Sequence, residues 1–421
     1  MREMKDSGVE WVGQIPVSWH IHPVSIYFDE RKNKNRLGKE SNLLSLSYGQ
    51  IIRKDINTIG GLLPESFNTY NIVEKDDIII RPTDLQNDKR SLRTGLVKEH
   101  GIITSAYIGL KPKRFVCSAY FHYLLHVYDV MKVFYNMGNG VRQGLNYSEF
   151  AKLMLIAPSF DEQQEITDYL DKKCSEIDAL TSDIQKQIDT LEQYKKSVIT
   201  EAVTKGLNPD AEMKDSKTDW CPRIPVNWEV VNPKIMFALR TERARKEDEQ
   251  LTASQEYGIV NQNKYMEITG TRVVTVEKDF SILKHVEPND FVISMRSFQG
   301  GLEFSEIRGC ISSAYVMLIP DERYVYPPFY RWFFKSSKYI NALQSTSNLV
   351  RDGQAMRYAN FIQVPLFLIP IEEQMEISNY LNERCSEIDT IISDKKKQLE
   401  VIAEYKKSLI YEYVTGKKEV M

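Results

Sequence analysis

A run of 17 residues that occurs twice constrains this chain more than any other feature. EQQEITDYLDKKCSEID, from Glu162 to Asp178, returns 211 residues later as EQMEISNYLNERCSEID, from Glu373 to Asp389. Apolar residues recur at every seventh position, which predicts a coiled-coil seam between two helices of about 40 residues. The predicted seam residues are Leu170, Ile177, Ile184, Leu191, Val198, Leu381, Ile388, Ile402 and Leu409.

The ends of both helices carry recognisable signals. Ser159 followed by Glu162 fits a capping box, and Gly206 and Gly416 are typical stop signals.

Four further apolar positions are expected to widen the stripe: Leu180, Ile188, Ile391 and Leu399. A heptad stripe by itself is more often a plain oligomerisation device, so the helices alone do not identify a function. We expect each copy to pair with the other.

The repeat extends beyond the helices. MKDSGVEWVGQIPVSW, at 4–19, returns as MKDSKTDWCPRIPVNW, at 213–228, and its tryptophans are expected to anchor a loop against a core. The segments that follow diverge but keep a skeleton in which Tyr48-Gly49 matches Tyr257-Gly258. Short β-branched runs broken by Gly, Pro, Asn and Asp predict strand-rich domains. One helix is expected in each, at 121–135 and 328–344.

The predicted fold is therefore an α/β (α+β) tandem repeat, in the order globular domain, helix, globular domain, helix. An antiparallel helix pair would relate the two copies by a pseudo-two-fold axis. Such an arrangement suits a protein that reads two separated half-sites on a DNA duplex. Because the scaffold repeats while the loops differ, the two half-sites would differ in sequence.

Net charge of −3 argues at first sight against nucleic-acid binding. The two helical segments, 161–206 and 371–421, together carry 14 basic and 22 acidic residues, which leaves 41 basic and 36 acidic residues elsewhere. The globular domains are therefore mildly basic, which permits a DNA-binding face. Five widely spaced cysteines without a CxxC pair favour reduced thiols, a cytoplasmic location and no zinc site. We expect no membrane segment and no signal peptide.

Two motifs contain letters of DNA-modifying active sites. YPPFY, at 326–330, has tyrosine where adenine methyltransferases need a polar residue to accept a hydrogen bond from the target amino group. PDAEMK, at 209–214, leaves one residue between Asp210 and Glu212, too few for the two adjacent strands of a nuclease metal site. Neither motif predicts catalysis.

Two further motifs are equally weak. GNGVRQG, at 138–144, lacks the GxGxxG spacing of a dinucleotide-binding loop. His122 and His126 lie four residues apart on a predicted helix without a third ligand nearby. We therefore expect no catalytic residue, no metal site and no cofactor in this chain.

The candidates for DNA contact are polar and basic side chains that follow equivalent predicted strands. Arg and Lys suit guanine edges or phosphates, and Asn and Gln suit adenine edges. For any one of them, a solvated loop side chain or a phosphate contact is an equally good interpretation. The predicted contact residues are Arg81, Gln86, Asn87, Lys89, Arg90 and Arg93 in the first copy and Arg296, Ser297, Phe298 and Gln299 in the second.

Taken in order, these segments resemble the specificity subunit of type I restriction-modification enzymes. The resemblance rests on the IPxxW segments, DLQNDKRSLRTG…GIITSAY, ISMRSFQGGL and the two EQ-EI-YL-EID helices, and covers essentially the whole chain. It implies target-recognition domains at 1–158 and 208–369, and conserved coiled-coil helices at 159–207 and 370–421.

The resemblance also implies partners. Each domain would read half of a bipartite, asymmetric site on double-stranded DNA. The helices would bind two copies of a methyltransferase subunit, and restriction/translocase subunits would join them. S-adenosylmethionine, ATP and Mg²⁺ would reside in those partners, and DNA methylation would occur there. Two rival hypotheses remain: a coiled-coil adaptor without DNA specificity, and a self-contained DNA methyltransferase or nuclease.

Overall fold

The computed structural model describes residues 2–57, 64, 66–83, 85, 92–133, 137, 144–276, 280–346 and 356–420. The chain divides into two compact units. Unit 1 consists of Met1–Ile184 and Lys397–Met421, and unit 2 consists of Gln185–Lys396. Each unit therefore combines one globular domain with one end of each long helix.

The globular part of unit 1 alternates short strands with a few helices. Its elements are β1 Met4–Asp6, β2 Gln14–Pro16, β3 His20–Pro23, α1 Val24–Tyr27, β4 Phe28–Glu30, β5 Leu44–Ser47, β6 Gln50–Arg53, β7 Asn71–Val73, β8 Ile78–Ile80, β9 Thr94–Leu96, β10 Gly101–Ile103, β11 Ile108–Pro112, α2 Ser118–Val130, α3 Tyr147–Phe150 and β12 Met154–Ala157.

A four-stranded antiparallel sheet, in the order β4-β11-β8-β9, lies at the centre of unit 1. Its central strand β8 is three consecutive isoleucines, all buried, as expected of a strand covered on both faces. One face packs with α2 in a core around Phe28 and Phe121. The other covers a smaller cluster around Ile79 and Val73.

Unit 2 repeats this element order. The helix α4, Phe160–Lys205, leads into β13 Met213–Asp215, β14 Arg223–Pro225, β15 Glu229–Val231, β16 Phe237–Arg240, β17 Leu251–Ser254, β18 Gly258–Asn261, α5 Gln262–Thr269, β19 Lys284–Val286, β20 Phe291–Ile293, α6 Ser297–Gly300, β21 Glu303–Phe304, β22 Gly309–Ile311, β23 Val316–Pro320, α7 Pro327–Phe333, α8 Ser337–Ser345, α9 Tyr358–Phe361, β24 Leu366–Leu368 and α10 Ile371–Val414.

The sheet of unit 2 has the order β16-β23-β20-β21, which matches strand for strand the sheet of unit 1. A buried tyrosine also recurs: Tyr120 donates to the Ile156 carbonyl at 3.3 Å, and Tyr330 donates to the Phe367 carbonyl at 2.7 Å. Both bonds fix the core helix to the last strand before the long helix. The predicted mixed α/β tandem repeat is confirmed.

The single helix predicted at 328–344 is two helices, α7 and α8. Between them, the Ser336 hydroxyl donates to the Phe333 carbonyl at 2.7 Å, so a side chain takes an acceptor that a continuing helix would use for its backbone. The other predicted helix, 121–135, corresponds to α2. Within the part of the chain that is described, no helix has the length and apolar content needed to cross a bilayer.

The long helices α4 and α10 contain 46 and 44 residues, longer than predicted. They run antiparallel in each unit. In unit 1, Lys406 pairs with Asp178 at 2.6 Å and the rings of Tyr413 and Tyr169 lie 4.5 Å apart. In unit 2, Lys195 pairs with Asp389 at 2.6 Å and Lys395 donates to Gln187 at 2.6 Å. The predicted antiparallel coiled coil is confirmed.

Burial follows the predicted seam at most positions. Leu170, Ile184, Val198, Leu381, Ile388 and Leu409 are buried, and Ile177, Leu191 and Ile402 are half-buried. Ile188 is buried and Leu399 half-buried, as expected of the widened stripe.

Two positions of that stripe were predicted wrongly. Leu180 and Ile391 are 50% and 46% exposed. Along a heptad seam, successive seam positions are separated alternately by four and by three residues. Leu180 lies three residues after Ile177, and Ile391 lies three residues after Ile388. At both places the next seam position lies four residues on. Buried positions that sequence reasoning missed include Cys174, Cys385 and Ile392.

Candidate DNA-recognition surface

The tryptophans of the repeated leading segments hold the start of each long helix. Trp19 donates its indole N–H to Glu162 at 3.2 Å, and Trp228 donates to Glu373 at 3.0 Å. Both tryptophans are fully buried, which confirms their predicted anchoring role. The capping box is half realised, because the Ser159 hydroxyl accepts from the Glu162 N–H at 3.3 Å while the Glu162 carboxylate binds the indole.

The glutamine after each of these glutamates is also structural. The side-chain amide oxygen of Gln163 accepts from the Cys117 N–H at 3.0 Å, and that of Gln374 accepts from the Tyr326 N–H at 2.7 Å. Both side chains are buried. The repeated EQ dipeptide therefore attaches the helix to the domain and is not part of a reactive site.

A buried ion pair supports the strand that precedes each predicted contact loop. Arg31 binds Asp77 through two hydrogen bonds of 2.7 and 2.8 Å, and Arg240 binds Asp290 through two of 2.6 and 2.9 Å. Burial raises the pKa of both aspartates above the ordinary carboxyl value, and the guanidinium groups oppose that shift. Each carboxylate also accepts a backbone N–H, from Glu74 and Glu287, so the turn into the strand is fixed.

In unit 2 the predicted contact loop follows β20, but Ser297, Phe298 and Gln299 form the one-turn helix α6 within it. Arg296 and Gln299 are exposed, whereas Phe298 is half-buried against the core. Ser297 is fully buried, and its hydroxyl accepts from the Ser294 N–H at 2.8 Å. The geometry therefore presents the arginine and the glutamine to solvent and uses the serine to shape the loop.

Gly301 ends this loop at a position that requires glycine. Its φ is 77°, and a Cβ there would overlap the Phe334 carbonyl oxygen. The tight turn returns the chain to β21 and keeps Arg296 and Gln299 at the loop surface.

In unit 1 the corresponding loop begins at Arg81, which is half-buried. Gln86, Asn87, Lys89 and Arg90 lie outside the described residues. Arg93 is fully buried, and its guanidinium donates to the carbonyls of Arg81 and Thr83. Its side chain therefore braces the loop from inside, and in this conformation it cannot contact DNA, unlike the role assigned to it from the sequence.

Each globular domain also contains an ionic cluster that sequence reasoning missed. In unit 1, His100 lies between Glu74 and Glu40, at 2.8 and 2.7 Å. The hydrogen bond to Glu74 raises the pKa of His100, helped by Glu40 and opposed by desolvation. The sequence signal for this cluster is the residue before the glycine of GIITSAY, because that position carries a basic side chain in both copies.

In unit 2 that position is Arg308, which pairs with Glu247 at 3.1 Å and lies 3.9 Å from Glu287. A buried histidine adds to this cluster, because His285 lies 2.7 Å from both Asp248 and Glu287. The side chains of His285 and Asp248 are completely inaccessible. The two domains thus use the same carboxylate position, Glu74 or Glu287, with different cations.

The histidines on α2 behave as core groups. Burial is the main cause that lowers the pKa of His122 to about 4, and it also lowers that of His126. Both rings are therefore neutral near pH 7. Among the residues that the structure describes, no three His, Cys, Asp or Glu side chains form a group that could hold a metal ion.

Comparison with known proteins finds relatives that align over most of this chain. The chain is 23% identical to the MjaX type I restriction enzyme specificity subunit of Methanocaldococcus jannaschii, over 97% of this chain and 96% of that protein. It is 24% identical to the MjaVIII type I specificity subunit of the same organism, over 76% and 75% of the two chains. The chain resembles type I specificity subunits over nearly its full length. This confirms the resemblance seen in the repeats.

Solved structures share the fold. A chain from a type I restriction-modification system, described for its complex assembly and conformational transition, aligns with a TM-score of 0.68 and 12% identity, over 96% of this chain and 99% of that one. The HsdS subunit of Thermoanaerobacter tengcongensis aligns with a TM-score of 0.53 and 12% identity, over 96% and 98%. No family model matches the chain.

Proposed function

We propose that this chain is the sequence-reading subunit of a type I restriction-modification complex, and that each globular domain reads one half of a bipartite, asymmetric DNA site. One observation carries the proposal. The equivalent strands β8 and β20 occupy the same place in matching sheets, and a buried Arg–Asp pair supports each of them. They nevertheless lead into loops with different side chains. A duplicated scaffold with divergent loops is what two different half-sites require.

The proposed contacts in unit 2 are Arg296 and Gln299. An exposed arginine can bind a guanine edge through two hydrogen bonds, and a glutamine can do the same with adenine. In unit 1 we keep Arg81, Gln86, Asn87, Lys89 and Arg90 in the proposed interface and leave out the buried Arg93. Ser297 and Phe298 would position the loop.

The long helices offer a repeated surface for partner subunits. Leu180 and Tyr405 are 50% and 56% exposed in unit 1, and their repeat equivalents Ile391 and Tyr194 are 46% and 45% exposed in unit 2. Exposed apolar side chains that recur in both units fit the docking of two copies of one partner. We propose methyltransferase subunits as that partner, with restriction/translocase subunits joining the complex.

The chemistry would belong to the partners. S-adenosylmethionine, ATP and Mg²⁺ are expected there, and this chain would supply sequence reading and geometry without making or breaking bonds. The five cysteines are all unpaired, which supports a cytoplasmic, reducing location for the complex.

The proposal is tested by mapping methylated motifs in DNA from cells that express this chain with its cognate methyltransferase subunit. We expect a bipartite asymmetric adenine motif that disappears when the chain is deleted. Replacing residues 230–360 by the matching part of a relative should change one half of the motif and leave the other half intact. If partner binding persisted without any motif, the adaptor hypothesis would replace this proposal.

A further inference from the structure

In both globular domains a β-hairpin loop carries a tyrosine followed by a glycine, which belongs to the loop in unit 1 and begins the next strand in unit 2. In unit 1, β5 pairs with β6 so that Ser47 faces Gln50, which leaves Tyr48 and Gly49 as a two-residue loop. In unit 2, Ser254 faces Gly258 and the loop ends on Tyr257. The first strands of the two hairpins share a leucine at the start, Leu44 or Leu251, and a serine at the end, Ser47 or Ser254. The Tyr-Gly pair is retained after them, whereas the second strands diverge.

The tyrosine of unit 1 occupies an unfavourable backbone conformation. Tyr48 and Gly49 have φ values of 45° and 80°, typical of the type I′ turn, in which Asn-Gly is preferred. A bulky side chain at positive φ is strained. The ring is nevertheless 83% exposed, so it contributes little to the core in return. Neither the turn nor packing explains why a tyrosine stands there.

The tip of this hairpin lies beside Leu92, near the C-terminal end of the predicted contact segment of unit 1. A Cβ built on Gly49 would come within 3.1 Å of the Leu92 side chain, and Leu92 directly follows the segment that contains Gln86 to Arg90. The hairpin also packs on the strand after that loop, since a Cβ on Gly95 would meet Leu46 and Ile51. The tip is therefore held next to the end of the loop.

Unit 2 has the same arrangement, with the loop itself described. Gln255, in the hairpin loop, donates to the Arg296 carbonyl at 3.3 Å. Its side chain also fills the space over Gly300, where an added Cβ would lie 2.7 Å from it. The tip that carries Tyr257 thus touches the loop that presents Arg296 and Gln299.

We propose that the Tyr-Gly hairpin tip is a second DNA-contacting element in each domain, and that Tyr48 packs its ring against sugar and base edges of the half-site read by unit 1. This inference rests on the proposed function and adds residues to its interface. Contact of the ring with the sugars does not depend on the base, which agrees with a residue shared by two domains that read different sequences.

The two tips are not expected to contribute equally. Tyr257 is 41% exposed, half the exposure of Tyr48, and its ring lies 6.2 Å from that of Tyr265. Glu256 precedes it and would repel a phosphate. We therefore expect Tyr48 to contribute more to affinity than Tyr257 does.

The test uses the complete complex of this chain with its methyltransferase subunits and a fluorescent duplex that contains the mapped motif. Tyr48→Asn removes the ring but supplies a residue that the turn prefers, so the fold is retained or stabilised. We expect affinity for this duplex to fall about tenfold, as for the loss of one aromatic contact. Tyr48→Phe should keep most of the affinity.

Phe115→Asn is the matched control. Phe115 is also strained, with a φ of 59°, and is 78% exposed, but it lies between β11 and α2, away from the hairpin in sequence. Its substitution should leave affinity unchanged. Wild-type affinity in Tyr48→Asn, or an equal loss in both asparagine variants, would overturn the inference. If the wild-type complex did not distinguish the motif from a scrambled duplex, the proposed function would fail first and the inference with it.

Discussion

The two globular domains differ most informatively in the ionic cluster beside their sheets. The position before the glycine of β10 or β22 is His100 in unit 1 and Arg308 in unit 2. Both side chains face the equivalent glutamates, Glu74 and Glu287. Unit 2 adds a buried His285 with Asp248, where unit 1 has Ile72 and Ser41. Duplication has kept the acidic partner and allowed the cation to change, so one domain has a titratable cation where the other has a permanent one.

The buried Arg–Asp pairs under β8 and β20 are the feature in which the domains agree most closely, and they give the largest expected effect. Asp290→Ala removes two of the hydrogen bonds of the buried Arg240, which retains its bond to Glu242, and should destabilise unit 2 by about 3–5 kcal/mol. Asp77→Ala should cost unit 1 a similar amount because the geometry is the same. Urea unfolding of the two variants measures both values. A large loss in one unit and none in the other would break the equivalence of the two scaffolds.

The long helices offer a second comparison, between seam and surface. Leu381→Ala removes a fully buried side chain and should destabilise the protein by about 2–5 kcal/mol. Ile391→Ala, ten residues further along the same helix, removes a side chain that is 46% exposed and should change stability by less than about 0.5 kcal/mol. Thermal unfolding measures the contrast. If Ile391→Ala were as costly as Leu381→Ala, the assignment of the seam would be wrong.

The proposed contact loops differ in side chain, and that difference can be sharpened in unit 2. Arg296→Ala should weaken binding of the assembled complex to its motif by about 1–3 kcal/mol, with the loss confined to the half-site read by unit 2. Gly301 and Ser297, which shape the loop, are left in place. Lys217→Ala, an exposed position of the same unit with a φ of 57°, is the control. A loss that was the same for motif and scrambled duplexes would make Arg296 a phosphate contact.

How far the sequence predicted these features depended on the kind of pattern involved. The helices followed from a heptad repeat, a local periodicity that the structure had only to extend. Their antiparallel pairing was a hypothesis drawn from the duplicated order of domains and helices, because a heptad pattern does not specify orientation. Leu180 and Ile391 were predicted wrongly because they are apolar and lie one residue from a seam position. Whether the seam advances by three or by four residues at that point decides which side chain faces the partner helix.

The ion clusters could not be predicted in the same way. Glu40, Glu74 and His100 are far apart in sequence and meet through strand pairing that no local pattern specifies. Arg93 shows the same limit at the candidate site. Its sequence neighbours predicted an exposed cation on the loop. Its guanidinium instead donates to the backbone carbonyls of Arg81 and Thr83, which lie at the start of the loop in the sequence.

The smallest expected effect concerns the cation that differs between the domains. The pKa of His100 is raised in the folded state above its ordinary value of about 6.5. Its contribution to stability is therefore fully present below about pH 6.5 and is lost as the pH rises through the folded pKa. His100→Arg places the cation of unit 2 in unit 1 and should remove this dependence.

Because His100 is 49% exposed, the effect should be a small shift of the melting temperature. Melting curves of the wild type and of His100→Arg should coincide near pH 5.5 and separate towards pH 8.5, with the wild type melting lower, since the arginine keeps its charge over the whole range. His285 is present in both proteins and cancels in the comparison. A constant difference across the range would mean that His100 stabilises unit 1 by packing and hydrogen bonding alone, and that its charge has no part in joining Glu40 to Glu74.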